Sequence, residues 1–410
     1  MFQVLSDKTF SEINMKFTKI FNSKILLIFL LPICSQVVHA APFALEARSL
    51  AMGGVSVANA DLATAAWANP AMLTNQRPGD DFSLLIGVGT FVRDNDNLRT
   101  DIDDFQAAND RLQSAASPAD PEAVQALQEM TNIIIGIDGK NMAVDVSGMA
   151  AVGMAFNTFA MALSARVDAI GAGTVENISS SPVDLINQTA NTNIVNLEGV
   201  IATEFGLSLA KNVRFLNRKL SIGVKPKMVD LQSYIYRESI YTIGGLSEVF
   251  DEGKKSDLGT FTSLDLGMAM DLSHSYRIGL NVRNLLSDEF KIANQTLSFD
   301  TEARIGMTYH DRMLTVAVDY DLTENEPLLA NPSFDNLQTQ YLSVGAEFNA
   351  FNFAQLRIGA RKNLAGAISG GAKDTALTAG IGFWLGFNLD VAATYTDNSV
   401  GVFVQTGFRF

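Results

Sequence analysis

Residues 295–310 read Gln-Thr-Leu-Ser-Phe-Asp-Thr-Glu-Ala-Arg-Ile-Gly-Met-Thr-Tyr-His, and their alternation decides the fold. From position 297 onward the odd-numbered positions carry no charge, whereas the even-numbered positions include Asp300, Glu302 and Arg304. Side chains of a β-strand point alternately to opposite faces, so one face suits lipid and the other suits water. A shift by one residue would place Arg304 in lipid, at a cost of about 2 to 4 kcal/mol. The stretch therefore predicts a strand of a transmembrane β-barrel.

The same alternation recurs along the chain and predicts an all-β fold, a transmembrane antiparallel barrel of about 14 strands. Long and short connections alternate, as in bacterial barrels, which have even strand numbers, short periplasmic turns and longer outer loops. The strands are expected near residues 82–93, 144–156, 158–169, 196–211, 218–236, 259–273, 276–288, 297–310, 313–322, 338–350, 352–363, 374–385, 387–397 and 399–410.

The last segment carries a signal of its own. Val402, Val404, Thr406, Phe408 and Phe410 share one face and include two aromatic residues. This pattern resembles the terminal strand by which the outer-membrane assembly machinery recognises unfolded barrels. Phe408 and Phe410 are therefore the predicted assembly signal. The predicted partners are the assembly machinery and outer-membrane lipid.

Residues 1–40 are typical of a cleaved export signal. Three lysines precede an apolar run at 25–31, and small residues occupy the cleavage positions near 40. The run is shorter than the about 20 residues that a spanning helix needs. We expect export across the inner membrane and an integral position in the bacterial outer membrane. Translation is expected to start at Met1 or Met15.

The composition fits a membrane protein without spanning helices. The sequence is 47% hydrophobic, with 31 glycines and 26 phenylalanines, and its mean hydropathy is +0.14. Past residue 40 there is no run of 18 apolar residues, which argues against helical membrane spans. A barrel needs no such run, because only every second side chain faces lipid.

Charge and cysteine content exclude several classes of protein. The one cysteine, Cys34, lies in the leader, so a mature chain has neither a disulfide nor a thiolate metal site. The leader holds four lysines against Asp7 and Glu12, so its removal changes the formal net charge from −14 to −16. Direct binding to nucleic acid is not expected of so acidic a chain. Neither a metal nor a cofactor is predicted.

Catalysis is not expected either. Past the leader the only histidines are His274 and His310, both at short turns, and there is no Gly-x-Ser-x-Gly motif. The sequence therefore offers no catalytic residue, and the protein is not predicted to be an enzyme.

Two regions depart from the strand pattern. Residues 41–80 are rich in Ala, Gly and Asn, which suits a compact N-terminal plug ahead of the barrel 81–410. An insertion at about 95–143 has helical spacing from Asp101 to Ser117 and from Asp120 to Asn132, which predicts a helical outer loop.

The plug region contains two short motifs. Gly53-Gly54 suits a tight backbone turn, because glycine adopts positive φ without strain. Asn69-Pro70-Ala71 suits an anchor made by turn and hydrogen-bond chemistry. Both motifs predict an architectural role.

Charged residues of both signs are expected on the lumen face. A balanced set of this kind favours paired charges that fill the barrel over an open pore of a single sign. The expected lumen charges are Asp265, Asp271, Asp300, Glu302, Asp319, Asp321, Glu347 and Asp390 together with Lys225, Lys227, Arg277, Arg283, Arg304, Arg357, Arg361 and Arg409.

Two families resemble the chain. The run from Ala47 to Val57 with Asn69-Pro70-Ala71 resembles the plug of the FadL-type long-chain fatty-acid transporters, which are outer-membrane barrels. The similarity to the conjugal-transfer TraF-like outer-membrane family is closer. It is carried by Asp80-Asp81-Phe82, by Arg93-Asp94-Asn95-Asp96-Asn97-Leu98 and by Ile102-Asp103-Asp104-Phe105.

The FadL-type resemblance implies passive uptake of a hydrophobic or amphipathic small molecule, which enters an apolar pocket and leaves after the plug shifts. Phe43, Leu45, Leu50 and Met52 are the candidate ligand contacts, with the alternative that they only pack the plug against the barrel wall. The TraF-like resemblance leaves a second hypothesis open. In it the protein is a structural or interaction protein of the cell surface that acts through its helical loop, without transport.

Overall fold

The computed structural model describes most of the chain after the leader. The leader 1–40 and the candidate contacts Phe43 and Leu45 lie outside the described residues. The described residues are 46–76, 79–94, 97–189, 191–242, 254–286, 289–292, 295–325, 339–350, 353–365, 375–396 and 399–410.

Fourteen of the strands in these ranges form one closed antiparallel barrel, and two form a separate hairpin. The barrel strands are β1 (Phe82–Arg93), β2 (Asn141–Ala155), β3 (Ala160–Glu176), β4 (Ile194–Phe215), β5 (Arg218–Ser239), β6 (Lys254–Asp271), β7 (Tyr276–Arg283), β10 (Glu302–His310), β11 (Leu314–Asp321), β12 (Tyr341–Ala350), β13 (Ala354–Asn363), β14 (Thr375–Trp384), β15 (Asn388–Thr396) and β16 (Ser399–Arg409), and the hairpin strands are β8 (Glu289–Ile292) and β9 (Gln295–Ser298).

The predicted 14-strand barrel is confirmed, and so is the alternation of its two faces. Each barrel strand pairs with the next one along the barrel, and β1 closes the barrel on β16 with Ser83 opposite Arg409. In β10 the side chains of Ile305 and Met307 are exposed on the outer face, whereas Thr308 is buried on the lumen face. Lipid-facing and lumen-facing residues therefore alternate as the sequence predicts.

Residues 295–310, predicted as one strand, are divided between two elements. β7 ends at Arg283 because Asn284 adopts a positive φ of 53° and its backbone N–H donates to Asp265 Oδ1 at 2.9 Å. The chain then leaves the barrel, forms the β8–β9 hairpin and returns at Glu302. The predicted boundaries of both barrel strands are wrong at this point, although their number is right.

The two ends of the barrel differ in their connections. Short turns lie at one end, called here the short-turn end, and longer connections that include 94–140 lie at the other, the long-loop end. Aromatic pairs mark the short-turn end, as in the aromatic girdles of membrane barrels. The pairs are Phe82 with Phe410, Phe156 with Phe159, and Tyr276 with Tyr309.

The barrel wall is tall on one side and short on the other. β4 and β5 have 22 residues each, whereas β7 and β11 have 8 each. A tilted strand needs about 9 to 11 residues to cross a bilayer, so β4 and β5 extend well beyond it. The extra length lies at the long-loop end, where the helices pack.

The helices fall into two groups. The N-terminal segment contains α1 (Ala47–Ala51) and a 3-10 helix (Pro70–Thr74), and the long connections contain α2 (Leu98–Ser114), α3 (Pro121–Ile137) and α4 (Pro182–Asn187). The sequence predicts the two longer helices within about five residues of these bounds. No helix in the described part of the chain is long and apolar enough to cross a membrane.

Helices α2, α3 and α4 form a compact unit, called here the helical module. The Asp94 carboxylate accepts hydrogen bonds from the backbone N–H groups of Leu98 and Arg99 at 2.6 and 3.2 Å, which satisfies free donors at the start of α2. The module packs against Val175 and Val195 near the long-loop ends of β3 and β4. Its fully buried apolar side chains are Phe105, Ala108, Ala123, Ala126, Met130, Ile134, Ile137 and Leu185.

Residues 46–76, called here the plug, lie inside the barrel. Most of their side chains are buried, and many are small, so the plug backbone approaches the wall closely. α1 contacts β13, β14, β15 and β16, and the 3-10 helix contacts β2, β3, β4, β5 and β6 on the other side. The plug therefore bridges the lumen from one wall to the other.

Candidate functional site

Lumen-facing glycines receive the plug. At each of these positions an added Cβ would lie within 3 Å of a plug atom, a distance that real Cβ atoms essentially never show. A Cβ on Gly279 would lie 2.7 Å from the Val57 oxygen, and a Cβ on Gly359 would lie 2.8 Å from the Met52 Cα atom. These residues, called here the glycine belt, are Gly223, Gly267, Gly279, Gly306, Gly345, Gly359 and Gly380.

Register makes the glycine belt nearly continuous. Gly223 lies opposite Gly267, Gly279 opposite Gly306, and Gly345 opposite Gly359 on neighbouring strands. Because these wall residues have no side chain, plug backbone atoms and plug side-chain atoms such as the Ala51 Cβ pack directly on the wall backbone. The plug therefore occupies the lumen at this level.

The Gly53-Gly54 motif forms the turn that follows α1. The two residues have φ angles of 76° and 93°, which glycine adopts without strain. A Cβ on Gly53 would lie 2.6 Å from the Ala360 oxygen on β13. The Gly53 backbone N–H donates to Thr378 Oγ1 at 2.8 Å. Gly53 thus combines a turn with close contact to the wall.

The Asn69-Pro70-Ala71 motif starts the 3-10 helix. Asn69 is fully buried, and its side-chain oxygen accepts from the Ala71 backbone N–H at 3.1 Å. Its Nδ2 atom donates to the Val57 oxygen at 2.8 Å and to the Met268 oxygen on β6 at 3.2 Å. Asn69 therefore links two parts of the plug to the wall.

Other side chains of the wall bind plug backbone groups. Thr378 Oγ1 donates to the Ala51 oxygen at 3.0 Å. The Asp319 carboxylate accepts from the Ser56 and Val57 N–H groups at 2.7 and 3.0 Å. Gln405 Oε1 accepts from the Ala47 N–H at 2.9 Å. Polar contacts on β11, β14 and β16 thus position one face of the plug.

A buried ion network joins the plug to the wall. Arg48 Nε lies 2.8 Å from a Glu347 carboxylate oxygen, which also lies 2.7 Å from Arg357 Nε. Arg357 Nη1 in turn lies 2.5 Å from Asp390 Oδ1. Each charge has an opposite partner, which buried ions require.

A second network lies across the lumen on β4, β5 and β6. Lys225 lies 2.5 Å from Glu204, and Lys227 lies 2.9 Å from Asp265 and 3.3 Å from Glu204. Glu204 is absent from the set of predicted lumen charges, although it alternates in phase with Gly206. These two networks show the paired lumen charges that the sequence predicts.

Glu46 caps α1 inside the plug. Its carboxylate accepts from the Arg48 and Ser49 N–H groups at 2.7 and 2.9 Å. Burial raises the pKa of Glu46 to about 7, and the charge of Arg48 opposes that rise. Glu46 is therefore a titratable group within the plug near neutral pH.

Two of the candidate ligand contacts lie within the described residues. Leu50 is buried among plug and wall side chains, and Met52 is buried against Val55 and Ala317. Asn59 Nδ2 lies 3.9 Å from the Met52 sulfur. These surroundings fit the alternative in which Leu50 and Met52 pack the plug against the wall.

Charged and polar side chains contribute to the lining of two cavities beside the plug. One of about 360 Å³ borders the plug toward the short turns and is lined by residues that include Arg48, Asp61 and His310. One of about 30 Å³ lies beside Glu46, Trp67 and Arg304. A hydrocarbon would gain little by leaving lipid for such surroundings.

An apolar cluster does occur on the lumen side of the tall wall, where its side chains are buried. Val200, Val229, Leu231 and Phe261 are buried together on β4, β5 and β6, with Phe299 packed against Phe261 at a ring distance of 4.8 Å. This group, with Ala202 and Leu258, is called here the apolar wall patch. It lies between the second ion network and the long-loop end. The alternation of the sequence does not reveal it, because the same strands carry lysines and acids farther along.

The lipid side of the tall wall carries a separate groove. It has a volume of about 850 Å³ and is lined by side chains that include Leu163, Phe205 and Met228. The β4–β5 ladder is interrupted here, between Gly206 and Leu209, because Pro226 has no N–H to donate. Phe205 therefore lines an exposed groove and Phe261 belongs to a buried cluster, on opposite faces of one wall.

Phe408 and Phe410 both lie on the lipid side. They are exposed, and Phe410 stacks on Phe82 at a ring distance of 4.9 Å. Their predicted role in assembly stays a prediction. Within the described residues no three His, Cys, Asp or Glu side chains are grouped as metal ligands would be.

The fold and the site define a class of protein, an antiparallel 14-strand barrel whose lumen is filled by its own N-terminal segment. A family model described as "F plasmid transfer operon, TraF, protein" matches residues 66–321, and the chain belongs to this family. The predicted family resemblance is confirmed. A search of curated protein sequences finds no match.

Solved structures share the fold at low identity. The Ralstonia pickettii toluene transporter TbuX is 15% identical with a TM-score of 0.52, and the match covers 90% of this chain and 100% of that one. The P. putida toluene transporter TodX is 13% identical with a TM-score of 0.53, and the match covers 89% of this chain and 98% of that one. A Pseudomonas aeruginosa FadL homologue is 11% identical with a TM-score of 0.52, and the match covers 90% of this chain and 98% of that one. Likeness at these identities shows the fold alone.

Proposed function

We propose that the protein is an outer-membrane channel, closed at rest by its plug, that admits small hydrophobic or amphipathic molecules passively. The apolar wall patch is the observation that carries this proposal. The patch is buried in the closed state, with Phe299 packed on Phe261, so a hydrophobic molecule would bind there by taking the place of Phe299 against the apolar side chains. The names of TbuX and TodX as toluene transporters agree with this class of cargo.

Location in the outer membrane is part of the proposal. The lipid side presents exposed apolar residues such as Ile305, Leu356 and Val404, and aromatic pairs mark the short-turn end. The proposal also includes export by the leader 1–40 and recognition of Phe408 and Phe410 by the assembly machinery. The long-loop end faces outward. In this orientation cargo meets the apolar wall patch before it meets the plug.

Binding to the apolar wall patch is tested with radiolabelled octanol and protein in lipid nanodiscs, corrected with empty nanodiscs. Phe261→Ser removes an aromatic ring from the lumen, and we expect octanol affinity to fall about tenfold or more. Phe205→Ser is the matched control, because it removes the same ring from the lipid-side groove. A loss in Phe205→Ser that Phe261→Ser does not share would place the octanol in the groove and contradict the proposal.

Movement of the plug is tested with a reversible lock. Thr74 Oγ1 on the plug lies 2.8 Å from Ser221 Oγ on β5, so cysteines at both positions suit a disulfide. Thr74→Cys with Ser221→Cys should stop octanol uptake into proteoliposomes when oxidised and restore it when reduced. Thr74→Cys alone is the control. Uptake that continues through the oxidised double variant would show that cargo does not need the plug to move.

A second candidate function, interaction at the cell surface, is favoured by the outer face of the helical module. Val124, Ile135 and Val183 of the module are more than half exposed, so a partner that covered them would remove apolar surface from water. If this face binds a partner, deletion of residues 101–132 should abolish contact between cells or conjugation while octanol uptake persists. Loss of uptake with unchanged surface activity would favour the channel alone.

A further inference from the structure

Arg361 differs from the other buried cations. In the described part of the chain six arginine or lysine side chains are less than 9% exposed. Five of them lie within 4 Å of a carboxylate oxygen, and Arg361 does not. Arg361 is only 5% exposed, so bulk water does not solvate its charge fully. A buried charge without a counter-ion needs a specific explanation.

Arg357, on the same strand and the same face, shows what a structural arginine looks like here. Its guanidinium lies between Glu347 at 2.7 Å and Asp390 at 2.5 Å. Arg357 and Arg361 are each 5% exposed, and both alternate with lipid-facing neighbours such as Ile358 and Lys362. Arg357 thus has two carboxylate partners on this wall, whereas Arg361 has no carboxylate within 4 Å among the described residues.

The groups next to Arg361 leave its N–H edges available. The guanidinium carbon lies 5.0 Å from the centre of the Tyr341 ring, so one flat face is covered. The residues directly opposite on β12 and β14 are Ser343 and Ala376, which are small and uncharged. Asp321 is already engaged by Arg304 and by the Tyr341 N–H.

Arg361 also lies on the path between the plug and the long loops. Gly359, two residues earlier on β13, is in direct contact with Gly53 and Met52 of the plug. Arg361 is the next lumen-facing residue toward the long-loop end. A molecule that enters from that end therefore meets this guanidinium before it reaches the plug.

We propose that Arg361, stacked on Tyr341, binds the oxyanion head group of an amphipathic organic anion in the lumen. A guanidinium presents paired N–H donors in its plane that match the two oxygens of a carboxylate or sulfonate. Ser343 adds a hydroxyl from the neighbouring strand. The assignment rests on the proposed passage of hydrophobic or amphipathic molecules and narrows the cargo to one that carries an anionic head.

Thermal stability in the absence of ligand separates a binding arginine from a structural one. Arg361→Met removes an unpaired buried charge, so the melting temperature should stay equal or rise. Arg357→Met leaves Asp390 without an arginine and Glu347 with Arg48 alone, so the melting temperature of this variant should fall. Lys362→Met, the exposed neighbour on the lipid side, controls for the loss of one positive charge. A fall for Arg361→Met like that for Arg357→Met would overturn the proposal.

Binding is measured with octanesulfonate, which keeps its charge at every working pH, and with octanol, which has the same tail. The wild type should bind octanesulfonate more tightly than octanol. Arg361→Met should lose about tenfold or more of the octanesulfonate affinity and keep its octanol affinity. Arg361→Lys should recover part of the loss, and Lys362→Met should show none.

The two ligands distinguish failure of the anion site from failure of the channel proposal. If octanol binds and Arg361→Met leaves octanesulfonate affinity unchanged, the anion site is wrong and the channel stands. If octanesulfonate binds through Arg361 while octanol does not bind, the site stands and entry of neutral hydrophobic molecules is wrong. If neither ligand binds the wild type, both proposals fail.

Discussion

The plug and the helical module are both packed against the barrel, but by different means. The module buries large apolar side chains, among them Phe105, Met130 and Ile134, against one another and against the tall wall. The plug meets the wall through glycines, hydrogen bonds and the Arg48–Glu347 ion pair, together with an apolar cluster made mostly of small side chains. Each hydrogen bond contributes only about 0.5 to 1.5 kcal/mol net, because water replaces it readily. In the proposed function the module is a fixed part of the fold, and the plug is the part that leaves its seat.

The largest effect is expected from filling the glycine belt. Gly359→Leu would place a side chain where the backbone of Gly53 and Met52 now lies, so the plug should leave its seat entirely. The sequence has two tryptophans, Trp67 and Trp384, and Trp67 is buried in the plug. In a Trp384→Phe background, acrylamide quenching of Trp67 should rise to that of an exposed indole.

Gly148→Leu is the control for that substitution. A Cβ added at Gly148 would meet no atom within 4 Å, and the residue lies in phase with lipid-facing residues of β2. We expect no change in Trp67 quenching for this variant. Unchanged quenching in Gly359→Leu as well would mean that the plug adapts to a filled wall and stays seated.

The next largest effect should appear in the helical module. Phe105 is fully buried there, and Phe105→Ala should destabilise the module by about 3 to 5 kcal/mol through lost burial and a cavity. Limited proteolysis should then cut within α2 and α3, whereas Trp67 quenching should not change. A simultaneous change in both measurements would show that the module and the plug are coupled.

The barrel was predictable because its signal is local. Ile305 and Thr308 face lipid and lumen as their chemistry requires, and the same holds from strand to strand. Strand bounds were less predictable, since β4 and β5 continue past the membrane, where lipid no longer selects apolar residues. Asn284 ends β7 through a positive φ and a bond to Asp265, a tertiary contact that the alternation cannot reveal.

The candidate site was predictable only in part. Gly53-Gly54 and Asn69-Pro70-Ala71 have a local turn chemistry that the sequence shows, but their wall partners lie hundreds of residues away. Arg361 is expected in the lumen from alternation alone. Whether it has a counter-ion depends on register, which places Ser343 and Ala376 opposite it instead of acids.

A smaller effect is expected from pH. The pKa of Glu46 is about 7 in the seated plug against an ordinary value of 4.5. Between these pH values the Glu46 of a released plug ionises, whereas that of a seated plug stays protonated. The free energy that favours the seated plug therefore falls as the pH rises, by about 3 kcal/mol at most. Trp67 quenching should therefore increase from pH 4.5 to 7 and then level off. Glu46→Gln should remove that part of the pH dependence, and an unchanged profile in this variant would assign it to another group.

The smallest effect should come from a single hydrogen-bonding side chain of the plug. Asn69→Ala removes the acceptor for the Ala71 N–H and the donor to the Val57 and Met268 oxygens, which should weaken seating by about 1 to 2 kcal/mol. Asn75→Ala, which removes one hydrogen bond to the Ala60 oxygen inside the plug, is the control. A plug held by many replaceable bonds should open partially in Asn69→Ala, with octanol uptake faster than in the wild type. If uptake stays at the wild-type rate while Trp67 quenching rises, opening of the plug does not limit passage, and the difference between plug and module concerns stability alone.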